Sequence, residues 1–108
     1  MNANFIKLDS IEKLDQLFEE SHEKPVILFK HSTTCPISSG VYEEISRVAG
    51  DINLVIVQTA RPISLAIAEK TGVRHESPQA IVIKNSEVVY HASHFDVTAE
   101  DVSKSLKS

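Results

Sequence analysis

"PVILFKHSTTCPISSGVYEEISRVAGDINLVIVQ", residues 25–58, carries three elements in a row and the chain's single cysteine, Cys35. Residues 25–31 form a nearly continuous apolar run opened by Pro25, the composition of a strand covered on both faces of a sheet. Pro36 suits the first turn of a helix, where its missing N–H removes no bond, and Ile37, Val41, Ile45 and Val48 recur at helical steps up to Gly50. Residues 52–58, "INLVIVQ", read as a second covered strand. Strand, helix and strand in roughly thirty residues make a β-α-β unit, so the two strands should run parallel with a right-handed crossover.

Upstream, a short strand is expected at Phe5 to Leu8. Asp9 or Ser10 then caps a helix whose Ile11, Leu14, Leu17 and Phe18 keep helical spacing to about Ser21. Downstream, Pro62 opens a helix with Ile63, Ala66 and Ile67 on its apolar face, stopped by Lys70 and Gly72. "AIVI" (80–83) and "VVYHA" (88–92) flank the polar turn Lys84–Glu87 as an antiparallel hairpin, which makes the sheet mixed. Thr98 caps a last helix with acidic residues in its first turn. The expected order is β-α-β-α-β-α-β-β-α. No repeat, linker or low-complexity tract divides residues 1–108, so we expect one α/β domain with a mixed central β-sheet flanked by helices.

Hydrophobic residues make up 42% of the 108 and charged residues 24%, enough apolar content for a packed core. With a net charge of -4 and no basic run, the chain offers nucleic acid little attraction. No apolar run approaches the roughly 18 residues of a membrane span, and the first residues lack a signal-peptide pattern, which points to a cytoplasmic protein. One cysteine permits no internal disulfide and no multi-cysteine zinc site.

The chemistry candidate is therefore the turn around Cys35. Unpaired N–H groups at a helix start favour a negative charge by about 0.3–1 kcal/mol, up to about 2 when partly buried, which favours a thiolate there. Thr33, Thr34, Ser38 and Ser39 offer hydroxyls to a sulfur anion, and Lys30 or His31 could add positive charge. The competing reading is an inert, buried cysteine; placement between a covered strand and a Pro-started helix favours the reactive one. A second feature is "SPQAIVI", residues 77–83. On sequence alone Pro78 reads as a trans proline opening a strand, since only about 5–6% of X–Pro bonds are cis.

In this element order, Cys35 with Ser38 three residues on, and Pro78 before the hairpin, resemble the thioredoxin superfamily, which has C-x-x-C or C-x-x-S at a helix start and a cis-proline before the hairpin. The likeness spans essentially the whole chain. More narrowly, "TCPIS" after "ILFKHS", with "SPQAIVI" downstream, is similar to the YtxJ-like monothiol bacilliredoxins. The resemblance implies that Cys35 is the catalytic nucleophile, that Ser38 occupies the resolving-cysteine position of dithiol relatives, and that the Ser77–Pro78 bond is cis. It also implies substrate contacts at Thr34, Pro36, Ser38, Ser77 and Pro78. The implied activity is removal of bacillithiol, a low-molecular-weight thiol acting as co-substrate, from mixed disulfides on client proteins; no bound cofactor is implied. The chain departs from general thioredoxins in lacking tryptophan, and from cluster-binding monothiol glutaredoxins in lacking C-G-F-S.

With no second cysteine, an adduct on Cys35 must be cleared by an outside thiol or reductase. Bacillithiol carries carboxylates, for which Arg61 or Arg74 are the candidate charge partners. His91 and His94 form an H-x-x-H pair, but His91 falls in an expected strand and nothing completes a metal set. Two other classes of function compete: a module holding an iron–sulfur cluster or metal through Cys35 and outside thiols, and an interaction domain whose cysteine is idle.

Overall fold

The computed structural model describes residues 3–107. The chain runs β1 (Ala3–Lys7), α1 (Ile11–Glu20), β2 (Val26–His31), α2 (Pro36–Ile45), β3 (Gly50–Ile56), α3 (Arg61–Thr71), β4 (Gln79–Lys84), β5 (Glu87–Ser93), a single 3-10 turn (His94–Asp96) and α4 (Ala99–Ser105). The five strands form one sheet in the order β1-β3-β2-β4-β5. β1 and β2 both run parallel to β3, whereas β4 is antiparallel to β2 and β5 antiparallel to β4. The apolar run of β2 is explained by this order: it is the central strand, paired on both edges and buried from Val26 to Lys30.

Successive residues of β2 point to opposite faces. Leu28 joins a core with Leu14 and Leu17 of α1 and Ile63 and Ile67 of α3. Ile27 and Phe29 join a second core with Val41 and Ile45 of α2 and Val102 of α4. The sheet is thus covered on both sides, and the carboxyl end of its middle strand leads directly into the Cys35 turn.

Local signals place the boundaries to within a few residues; the strand expected at Phe5 to Leu8 is β1 at Ala3–Lys7. Ser10, not Asp9, is the cap of α1, its hydroxyl accepting from Lys13 N–H at 3.1 Å. α2 stops at Ile45 instead of running to Gly50, and Gly50, at a φ of 131° that suits glycine, begins β3. Consequently β3 ends at Ile56, and Gln58 lies in the following turn. The hairpin turn is the two residues Asn85 and Ser86, both at positive φ (54° and 61°) as a tight antiparallel connection requires. Ser86 is held there by α1: its N–H donates to Ser21 Oγ at 2.8 Å and its hydroxyl to Phe18 O at 3.2 Å. Gly72 ends α3 in the left-handed conformation, and Thr98 caps α4 through Asp101 N–H at 3.1 Å. Among the described residues no helix is long and apolar enough to cross a membrane.

Candidate active site

Cys35 is the N-cap of α2, in an extended conformation, half-buried, with Pro36 next in the first turn. Its side chain makes no capping hydrogen bond. Ile37 and Ser38 follow, and their N–H groups have no carbonyl four residues back within the helix. On the neighbouring strand, Lys30 of β2 pairs with Gln79 of β4, so Pro78 sits one residue beyond, alongside the end of the strand that leads to Cys35. The Ser77–Pro78 peptide bond is cis, as the resemblance implied. Pro78 O accepts from His94 N–H at 2.8 Å, which ties the 3-10 turn to this corner, and Ser77 Oγ is buried without a hydrogen-bond partner.

The hydroxyls expected to face a sulfur anion are partly engaged elsewhere. Ser38 is fully buried, and its Oγ accepts from Ser32 N–H at 3.2 Å, tying α2 back to the loop that leaves β2. Thr34 Oγ1 accepts from Gln58 Nε2 at 3.1 Å. The same Nε2 donates to Ser32 Oγ at 2.8 Å, while Gln58 Oε1 accepts from Thr33 N–H at 3.3 Å. One side chain from the turn after β3 thus grips three successive residues ahead of Cys35. In the sequence Gln58 closes the apolar run "INLVIVQ", and nothing local marks it as a clamp.

Lys30 and His31 do not add charge beside the sulfur through any direct bond. Lys30 is fully buried on the α1/α3 face, with Nζ 3.1 Å from His75 Nδ1. Burial lowers its pKa from 10.5 to about 8. A lysine ammonium only donates, so Nδ1 accepts and the His75 ring carries its proton on Nε2. Burial, followed by the positive charges of Lys30 and Arg61, lowers the His75 pKa and keeps the ring neutral, with Glu76 opposing weakly. His31 goes to the other face, its ring 4.9 Å from Tyr42 and 6.0 Å from Phe29, and burial lowers its pKa too.

Next to this loop lies a hollow of about 350 Å³, lined in part by Ser32, Gln58, Arg61, Ser64 and His75. Arg74 does not line it; its carbonyl accepts from Gln79 Nε2 at 2.9 Å. A larger hollow, about 600 Å³, lies at the amino ends of β2 and β3, around Pro25, Gly50 and Asn53, away from Cys35. Among the described residues no group of three or more His, Cys, Asp or Glu side chains could hold a metal ion.

A cysteine at the start of the helix that follows the central strand, with a cis-proline just before the antiparallel strand paired to that central strand, defines a protein of the thioredoxin-fold class. Solved structures agree. One described as a candidate oxidoreductase with a thioredoxin fold is 39% identical, with a TM-score of 0.86 over 94% of this chain and 92% of that one. Thioredoxin from Schistosoma mansoni (20% identity, TM-score 0.70, 96% and 94% covered) and thioredoxin from Trypanosoma brucei brucei (11%, 0.75, 96% and 88%) share the fold. The family model described as monothiol bacilliredoxin BrxC matches residues 6–102, and the chain belongs to that family. It is accordingly a thiol-disulfide oxidoreductase, and its lone cysteine agrees with the monothiol description.

Proposed function

We propose that Cys35 removes bacillithiol from mixed disulfides on client proteins. The Cys35 thiolate attacks the bacillithiol sulfur, the client sulfur leaves as a thiolate that takes a proton from water, and a Cys35–bacillithiol disulfide remains. One disulfide breaks and one forms, so no net oxidation occurs in this step. A second thiolate from outside, either bacillithiol or a reductase thiol, then attacks the adduct and frees Cys35, itself ending in a disulfide with bacillithiol. Thr34 and Pro36 flank the sulfur, and the backbone at Ser77 and Pro78 offers an edge along which an extended client segment could lie. Ser38 acts by holding the loop through Ser32 N–H and does not resolve the adduct.

The observation that carries this reading is that the one cysteine of a bacilliredoxin-family chain stands at the start of α2, directly after the central strand. The test is incubation with a bacillithiol-modified protein, followed by mass spectrometry of both partners. The adduct should move to the wild type and not to Cys35→Ser. Retention on the client, or equal loss without Cys35, would sink the reading.

A further inference from the structure

The hollow beside the Cys35 loop is lined by an unusual set of groups for an acidic chain. Arg61 and His75 stand in its wall, and no Asp or Glu lines it. Behind His75 the buried ammonium of Lys30 occupies Nδ1, which leaves the ring a donor, at Nε2, toward its surroundings. Ser64, only 2% exposed, also lines the hollow, and its Oγ is buried with no hydrogen-bond partner. A buried hydroxyl without a partner is rare enough to point to a missing one. Glu76, the nearest acidic neighbour of His75, is engaged by Ser93 and does not line the hollow. Every charged or ring group in the wall is therefore a donor or a cation, the complement of a carboxylate. At about 350 Å³ the space suits part of a small ligand rather than a protein segment. Gln58 connects it to the chemistry, since the amide that lines this hollow also holds Ser32 and Thr34, the latter adjacent to Cys35.

We propose that this hollow is the subsite for the carboxylate-bearing end of the low-molecular-weight thiol, with Arg61 as charge partner and Ser64 Oγ and the His75 ring as hydrogen-bond donors. This rests on the assignment of Cys35 as the attacking thiol and decides between the two arginines, Arg61 and Arg74, in favour of the first. The subsite makes the site selective for an acidic thiol over a neutral one.

The test compares the transfer rate to Cys35 from one client protein carrying either bacillithiol or uncharged 2-mercaptoethanol in mixed disulfide. Wild type should prefer the bacillithiol adduct, and in Arg61→Gln that preference should fall by about tenfold or more, with a smaller fall in Ser64→Ala. Arg74→Gln should keep the wild-type preference. An unchanged preference in Arg61→Gln, or no preference in wild type, overturns the subsite and leaves the role of Cys35 intact; transfer of neither adduct overturns both. Binding is read separately by titrating S-methyl bacillithiol, which cannot react, into Cys35→Ser protein. The amide NMR signals of Arg61, Ser64 and His75 should shift, and shifts confined to other residues overturn the proposal.

Discussion

The two faces of the sheet treat the end of β2 differently. Phe29 and His31 point toward α2 and α4, where rings accumulate: Phe5 stacks on Tyr42 at 4.5 Å, and Tyr42 in turn meets Phe29 at 6.4 Å and His31 at 4.9 Å. Lys30, between them in sequence, points to the α1/α3 face, where a strand position that continues the line of Leu28 would ordinarily be apolar. One face forms an aromatic brace under the helix that begins at Cys35. The other buries a cation at a cost in stability and holds it behind the hollow. The α2/α4 face thus supplies rigidity, whereas the α1/α3 face gives up some stability for charge near the site.

The largest expected effect breaks the brace. Phe29 is fully buried against the rings of His31 and Tyr42, and Phe29→Ala should lower stability by about 3–5 kcal/mol. Urea unfolding should show a larger loss than for Leu28→Ala on the opposite face; a smaller loss would mean that the aromatic cluster is not the stronger support. The next effect has the opposite sign. Lys30→Met should stabilise the protein at pH 7 by about 1–3 kcal/mol, because the charged form of a group whose pKa falls to about 8 on folding is disfavoured in the native state. Between pH 8 and 10.5 the unfolded wild type binds the proton that the folded one has shed, so wild-type stability rises and the gap to Lys30→Met narrows. A gap that stays constant over that range would mean that Lys30 is not held against a desolvation penalty. The same variant removes the donor to His75 Nδ1, and its preference for the bacillithiol adduct should fall.

Smaller changes are expected in the polar clamp. Ser38→Ala leaves Ser32 N–H without its acceptor beside a fully buried position, and about 1–2 kcal/mol should be lost in urea unfolding. Gln58→Ala removes the bonds to Ser32, Thr33 and Thr34 from an exposed side chain, so its stability cost should be about 1 kcal/mol or less. Its effect should appear instead in adduct transfer, as a fall in kcat/KM of about tenfold, since misplacing a reacting group is costly in rate. Gln58→Glu keeps the acceptor for Thr33 N–H but loses the donor to Ser32 and Thr34 and lines the hollow with a carboxylate, so it should not recover that rate. Stability and transfer falling in proportion would mean a merely structural role.

What could be read from the sequence was what neighbours in the chain decide. The β-α-β unit, the Pro36 helix start, the Gly72 stop, the Thr98 cap and the hairpin all follow from periodicity and from backbone groups a few residues apart. Cys35 was found for the same reason, since a strand, a turn and a proline identify a helix start. The clamp and the hollow were not legible, because they join residues far apart in sequence: Gln58 reaches Ser32 across 26 positions and His75 reaches Lys30 across 45. One signal was present. A lysine within a run covered on both faces needs a buried partner, although the run alone cannot say which residue supplies it. Ser38 shows the converse. Its place in the C-x-x-S spacing was legible, but only the geometry reveals that its hydroxyl is spent on Ser32.

The smallest effect concerns His31, the polar member of the aromatic face. Its Nδ1 is buried with no hydrogen-bond partner, and its ring contacts Tyr42 and Phe29 much as a phenyl ring would. His31→Phe removes the unpaired nitrogen while keeping the stack, and should stabilise the protein by about 1 kcal/mol at pH 7. Burial lowers the His31 pKa, so protonation is disfavoured in the folded state, and wild-type stability is full above pH 6.5 and falls as the pH drops below it. The advantage of His31→Phe should therefore widen between pH 6.5 and about 5. His75, whose pKa is also lowered, titrates in both proteins and cancels from the difference. A difference that does not grow in acid would show that the α2/α4 face admits the imidazolium, and the contrast with the Lys30 face would then be one of packing alone.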